Sequence, residues 1–591
     1  MNNLTNYFLR KQFYLFQDIP DLDLNNLTMV GGRISSFDGI LSPTMVGGRI
    51  SSFDGILSPT MVGGNANKKK RWTKLYHNGP MFPDEYQPHK IPLIYKNEKI
   101  ILPSEAEEFA TIYSKYIDTE YIKNKKFNKN FWNDWKKYLV SVPKITNLED
   151  CDFSLIRKYV IEQKEKKLML SSEEKEKILA GKKKQEEPYL CATIDGKKEK
   201  IGNFRIEPPG IFIGRGCHPL LGSIKPRLSP QDVILNLSED APIPNSFMGN
   251  KWGEIIHNPY VDWLASFPDN ISGKTKYIWL GASSTWKMEN DQEKFDLARK
   301  LKRKIKEIRA NYNLLLTDKD LKNRQLATCL YFIDFLALRV GNEKGEEEAD
   351  TVGISSLRVE HLYFMDDLHI KLDFLGKDSV RYVKMIKVDE KIYNNLVEFT
   401  KNKSKDMDIF NYISTSDLNK YLQSLMDGLT AKVFRTYNAS DLFNKELNNP
   451  IKDNLKEDDK FNYLLNMFNQ ANIKVAMLCN HQKNVQKNFK EQLKKIDDEI
   501  VNVKEEITMN KNNKTKIKKL NMKLKKLKAK KELKLELKNI SLGTSKINYI
   551  DPRITIAWIK KHDFPVEKIF SETLRDKFKW AFEVDYEKFV Y

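Results

Sequence analysis

Five side chains, far apart in the chain, have the types needed to work on an anion: Arg339, Lys377, Arg435, His481 and a late tyrosine, Tyr549. The run Gln325 to Val340 places Leu326, Leu330, Ile333, Ala337 and Val340 on one helical face, with Gly341 positioned to end the helix. Arg339 then falls in its last turn, where a guanidinium is costly unless paired, so it is either structural or aimed at an anion. Lys377 lies in Leu375 to Ser379, between alternating flanks (Ile370, Leu372, Phe374; Val380, Tyr382), the pattern of a β-hairpin with a lysine at its tip. Arg435 follows a helical run from Asp417 to Met426. His481 ends a helix whose apolar face is Leu464, Phe468, Ala471, Val475 and Leu478. Taken singly, each basic residue also reads as ordinary structure: an ion-pair partner, a turn residue, a helix cap.

Other chemistries lack their residues. Ser272-Gly273-Lys274-Thr275 resembles the end of a phosphate loop, but Pro268 stands where the first glycine belongs, and Gly376-Lys377-Asp378-Ser379 fails likewise. Neither G-x-G-x-x-G nor H-E-x-x-H occurs, and the acidic run Glu343 to Asp350 lacks the spacing of a metal cage. No nucleotide, metal or other cofactor is expected.

These residues need a large scaffold. At 591 residues the chain has room for about four structural units. An apolar content of 40% excludes disorder along its whole length. No run approaches the roughly 18 apolar residues that span a bilayer. Arg10 and Lys11 interrupt the apolar N-terminal stretch, so a secretory signal is not expected. The five cysteines are widely separated and form no C-x-x-C pair, which fits a reducing compartment. The formal charge of +20 suits a polyanionic partner, nucleic acid before membrane.

Residues 28 to 43, TMVGGRISSFDGILSP, recur unchanged at 44 to 59, and 60 to 64 begin a third copy. Identity at a 16-residue period, with Gly, Ser and Pro throughout, reads as a flexible, recently duplicated tail. Lys68-Lys69-Lys70-Arg71 closes it, either a nuclear address or a solvated charge patch. A Trp-, Tyr- and Pro-rich α+β stretch follows. Ser171-Ser172-Glu173-Glu174 marks a helix start. Between Cys191 and Leu280 short apolar runs alternate with Gly and Pro, a β-rich pattern. Phe489, Leu493, Ile496, Ile500, Val503 and Ile507 recur at heptad spacing, and Ile517, Leu520, Leu524 and Leu527 resume it after the polar turn Asn510 to Lys514. Two such helices fold back as an antiparallel hairpin. Residues 511 to 538 hold 13 Lys against two Glu, a net +11, either a solvated face or a phosphate-contacting one.

Ser545 to Arg553 reads SKINYIDPR. With LALR at Arg339, FLGKDS at Lys377, GLTAKVFRTYNAS at Arg435, LCNHQ at His481, and IEPPG, GRG and Lys276-Tyr277 upstream, the chain from about residue 70 closely resembles the eukaryotic type IB DNA topoisomerase I family. That resemblance implies Tyr549 as nucleophile forming a 3′-phosphotyrosine. It implies Arg339, Arg435 and His481 on the non-bridging oxygens and Lys377 as proton donor to the leaving 5′-oxygen. Arg215 and Asn548 match positions beside the cleaved phosphate and, with Asp378, line a pocket for camptothecin-like intercalating inhibitors; Lys276 joins the DNA-binding set. The chemistry is coherent on physical grounds. Fixed guanidinium forks and a His donor stabilise charge where it develops on equatorial oxygens. A phenol with a pKa near 10 is ionised in roughly one molecule per thousand at pH 7, so nearby cations matter. Exchange of one phosphodiester for another needs no ATP.

The implied fold class is an α+β multidomain clamp: a flexible tail at 1–69, a β-rich and helical cap at 70–285, and a mostly helical tyrosine-recombinase-like catalytic unit at 286–484. An antiparallel coiled-coil linker follows at 485–538, then a Tyr-bearing C-terminal segment at 539–591. The implied partner of this nuclear monomer is double-stranded DNA, with no membrane. Tyrosine recombinases have a similar site but typically place His three residues before the second Arg, where Lys432 stands here. Their Tyr follows the last His closely, whereas Tyr549 lies 68 residues beyond His481. A recombinase-type strand transferase and a catalytically inactive, basic chromatin-binding protein are the alternatives.

Overall fold

The computed structural model describes residues 70–246, 249–341, 348–450, 457–483, 485, 488–511 and 513–591. The duplicated tail, Lys68, Lys69 and most of the acidic run 343–350 lie outside them. The described chain is mixed α/β and about half helical. Among its residues none of the sheets closes into a barrel, and no helix is long and apolar enough to cross a membrane.

The N-terminal part carries helices α1 (Ser104–Ser114), α2 (Lys125–Trp135), α3 (Ser154–Met169) and α4 (Ser172–Glu186). The expected start of α4 is a capping box in which the Ser171 side chain and the Glu174 side chain each bond the other's backbone N–H. One core forms around Phe127, Phe131 and Trp135. A second forms around Leu235, Leu264 and Ile278 of a four-stranded sheet ordered Glu254–Ile256, Ile234–Asn236, Trp263–Pro268 and Thr275–Trp279. Arg71, from the basic cluster, is tied to this region by an ion pair to Asp262 at 2.9 Å.

Helices α5 (Thr285–Leu315), α6 (Leu321–Leu336), α7 (Glu390–Thr400), α8 (Thr415–Leu425), α9 (Ala431–Leu447) and α10 (Glu457–Leu478) follow. A three-stranded antiparallel sheet, Leu362–Phe364, His369–Gly376 and Val380–Lys387, packs among them. Two cores meet on α9. Its Val433, Phe434 and Tyr437 belong to a core that reaches back to Ala298, and its Ala439, Phe443 and Leu447 belong to one that extends to Tyr591. The C-terminal elements α13 (Leu542–Asn548), α14 (Pro552–Lys561) and α15 (Glu572–Lys577) follow α11 (Phe489–Met509) and α12 (Lys514–Glu536). The heptad residues do pack face to face: Ile496, Ile500 and Val503 of α11 against Leu520 and Leu527 of α12.

Helix α6 departs from expectation. It ends at Leu336, with Ala337 left-handed (φ 51°), so Arg339 lies beyond the helix rather than in its last turn, and is exposed. Gly341 does not end the helix. Its φ of 92° serves a close crossing in which a Cβ would stand 2.7 Å from the Gly353 Cα. The physical reason for the early end is distant in sequence: the Ala337 carbonyl is taken by the Arg435 guanidinium at 2.9 Å.

Candidate active site

Arg435 projects from the inward side of α9 and is only 7% exposed. Burying a guanidinium requires acceptors. Nη1 donates to the Ala337 carbonyl just past α6, and Nη2 to the Cys479 carbonyl just past α10. One cation thus satisfies the carbonyl ends of two helices, where positive charge is favoured. Its Nε is buried with no hydrogen-bond acceptor among the described residues.

His481 is three residues beyond the end of α10, after Asn480 in the left-handed region (φ 51°). Its backbone N–H caps the helix by donating to Ala476 O at 2.8 Å, which leaves the ring free for other duty. The ring is 6% exposed; Nδ1 lies 2.6 Å from Ser545 Oγ and Nε2 lies 3.3 Å from Arg435 Nη2. Burial, then the charges of Arg435 and Arg339, lower its pKa to about 2, so the imidazole is neutral.

Tyr549 follows α13 directly. Its half-buried ring stacks on His481 (centroids 5.3 Å apart, 25° between planes), and the Arg435 guanidinium carbon is 5.0 Å from its centroid. Arg339 stands close enough for its charge to act on the phenol, on His481 and on Cys479. Burial, the largest single influence, favours the neutral phenol. The influence of Arg435 and Arg339 together outweighs it and holds the pKa below its ordinary value.

The 67 residues between His481 and Tyr549 do not separate them, because the helical hairpin is looped out from a closed base. Lys483 N donates to Asn539 O and Ser541 N to His481 O, each at 2.8 Å. Ser440 of α9 then fixes the tyrosine backbone: its Oγ donates to Tyr549 O and accepts from Asp551 N, both at 3.0 Å. Asp551 caps α14 and pairs with Arg553, which reaches Asp296 of α5 at 2.7 Å.

Lys377 is at the hairpin tip, as its flanks predict, in a turn where Asp378 and Ser379 take positive φ (66° and 57°). The hairpin flank is stitched to the His481 loop, since the Arg381 carbonyl accepts from Asn480 Nδ2 at 3.3 Å and Gln482 Nε2 at 3.2 Å. Arg215 pairs with Asp378 across the two halves of the molecule at 3.0 Å, and Lys274 pairs with Glu348 nearby in the same sense. Asn548 is exposed at the end of α13. Lys276 is held between Glu207, at 2.9 Å, and Asp269. Arg339, Arg435, His481 and Tyr549 therefore converge, and Arg215 meets Asp378. Sequence reasoning missed Ser440 and Ser545. Ser545 had a legible signal, since four residues before Tyr549 on a helix puts it on the same face.

Three family models match in tandem: "Eukaryotic DNA topoisomerase I, DNA binding fragment" at 70–280, "Eukaryotic DNA topoisomerase I, catalytic core" at 283–515, and "C-terminal topoisomerase domain" at 521–590. DNA topoisomerase 1 of Homo sapiens is 42% identical over 553 residues, covering 88% of this chain and 72% of that protein. The chain belongs to the eukaryotic DNA topoisomerase I family. DNA topoisomerase 1 of Caenorhabditis elegans is 43% identical over 543 residues (87% and 67%), and DNA topoisomerase 1 alpha of Arabidopsis thaliana is 42% identical over 550 (88% and 60%). The chain thus spans about 60% of the length of the Arabidopsis topoisomerases. Arg339, Lys377, Arg435 and His481 fall within the topoisomerase catalytic-core match, and Tyr549 within the C-terminal one.

Proposed function

We propose that the chain is an ATP-independent type IB DNA topoisomerase that relaxes positive and negative supercoils by transient cleavage of one strand. The observation that carries this reading is the convergence of Arg435, Arg339 and neutral His481 on Tyr549, whose phenol is acidified by the two guanidinium groups. Tyr549 Oη attacks a backbone phosphorus and its proton leaves to solvent. Arg435, Arg339 and His481 donate to the non-bridging oxygens as charge grows there. The P–O5′ bond breaks, Lys377 protonates the departing 5′-oxygen, and the phosphate remains on Tyr549 as a 3′-phosphodiester. The cut strand swivels. Its 5′-hydroxyl then attacks the phosphotyrosine, returning its proton to Lys377 and releasing the Tyr549 phenolate, which regains a proton from solvent.

In this reading residues 70–285 and 286–484 clamp double-stranded DNA, and the Arg215–Asp378 and Lys274–Glu348 pairs support closure along that edge. Residues 485–538 are a coiled-coil linker beside the duplex, and 539–591 bring the nucleophile. Arg215, Asp378 and Asn548 line the pocket for camptothecin-like inhibitors. Lys276, already neutralised by two carboxylates, shapes the DNA-facing wall more than it contacts phosphate. The protein acts as a nuclear monomer.

Plasmid relaxation without ATP or Mg²⁺ tests the function. A chromatin-binding scaffold would leave supercoils intact, and a recombinase would require a target site. Tyr549→Phe abolishes relaxation while retaining duplex affinity; normal relaxation by that variant would show the nucleophile to be wrongly assigned.

A further inference from the structure

The imidazole of His481 is neutral, so one ring nitrogen carries a proton and the other does not. Which one it is decides whether the residue attracts or repels a phosphate oxygen. Nε2 is the nitrogen on the Arg435 side. With its proton on Nδ1, the ring would turn a lone pair toward the incoming anion. Among the described residues the side-chain hydrogen-bond partner of Nδ1 is Ser545 Oγ, at 2.6 Å. Ser545 is fully buried on α13, the helix that delivers Tyr549.

We propose that Ser545 is a positioning residue that selects the His481 tautomer, donating its hydroxyl proton to Nδ1 so that Nε2–H faces the scissile phosphate. A hydroxyl suits this task because it both donates and accepts. Without DNA, Arg435 Nη2 lies close enough to donate to an unprotonated Nε2, and Ser545 then accepts from Nδ1–H. When an anion occupies the pocket, the hydroxyl hydrogen rotates onto Nδ1 and the ring proton resides on Nε2. The exchange moves one imidazole proton through solvent and leaves the net charge unchanged. A carboxylate in place of Ser545 could only accept, and would hold the proton on Nδ1. The contact also links delivery of the nucleophile to the oxyanion donor: His481 acquires its correct tautomer only when α13 is docked. This inference rests on the phosphotransfer reading above.

Two measurements on the full chain test it. The first is ¹⁵N-histidine NMR of the wild-type protein bound to a duplex, with the His481 signals identified by their loss in His481→Gln. A protonated Nε2 with an unprotonated Nδ1 is the expected pattern, and the reverse pattern overturns the proposal. The second is single-turnover cleavage of a suicide duplex. Ser545→Ala is expected to slow cleavage about tenfold, the equivalent of one hydrogen bond, with duplex affinity retained. Ser545→Thr is expected to recover most of that loss, and Ser545→Asp to be slower than Ser545→Ala. Equal rates for wild type and Ser545→Ala would overturn the proposal even where Thr or Asp fails to fold. Failure of the phosphotransfer reading would look different, since the wild type itself would then form no covalent adduct at Tyr549.

Discussion

Arg435→Lys keeps the charge and removes the fork, so it separates geometry from electrostatics at the centre of the site. The guanidinium bonds two buried carbonyls, at Ala337 and Cys479, from two different nitrogens. A lysine ammonium on a shorter reach holds at most one of them. Hydrogen bonds from a charged donor are worth about 1.5–3 kcal/mol each, so folding stability falls by roughly that amount. The kinetic effect is larger. Loss of one preorganised donor from a developing oxyanion costs about a hundred- to thousandfold in rate. Arg435 is also the first of the cations that acidify Tyr549; the charge is kept but drawn back with the shorter side chain, so the phenol pKa rises and the ascending limb of the pH–rate profile moves to higher pH. Denaturant unfolding reads the first effect, and single-turnover cleavage of a suicide duplex across pH, with binding measured separately, reads the other two. Cleavage within about threefold of wild type, with an unmoved pH profile, would refute the reasoning.

Two further outcomes follow from the same geometry. His481 has a folded pKa near 2 against 6.5 unfolded, so below about pH 6.5 the unfolded chain binds a proton that the folded one refuses. Stability from this group is present near neutrality and is lost as pH falls, with a slope of up to about 1.4 kcal/mol per pH unit. His481→Gln is therefore expected to flatten the fall in melting temperature between about pH 6.5 and pH 4.5, and an unchanged slope would contradict the assignment. Excision of residues 485 to 538 is expected to leave the fold intact, because the hairpin base is closed by backbone bonds. It should also accelerate relaxation most at low salt, where the +11 arm is least screened and its drag on rotating DNA is greatest. Identical salt profiles with and without the hairpin would remove the electrostatic-drag explanation.

The sequence made local features legible and non-local ones not. The hairpin under Lys377 follows from period-two alternation, the capping box at Ser171 from a four-residue signature, and the paired helices of 489 to 536 from heptads. Each of these signals is contained within its own segment. The end of α6 was misplaced because apolar periodicity runs on to Val340, while the force that stops the helix is a guanidinium 98 residues away. The cluster itself was reached through family resemblance, since nothing local in LCNHQ indicates that its histidine stacks on a tyrosine beyond a long insertion. Ser440 was missed for a related reason, whereas the spacing of Ser545 from Tyr549 was there to be read. A buried serine looks the same in sequence whether it fills space or aims a proton.

The closed base of the hairpin makes the segment between positions 483 and 539 a detachable appendage in evolutionary terms. Because the register of histidine and tyrosine is set below the branch point, the protrusion can grow, shrink or change charge while the chemistry beneath it stays in place. A nick in the 510–514 turn should likewise leave two polypeptides that still recognise each other and share one working centre.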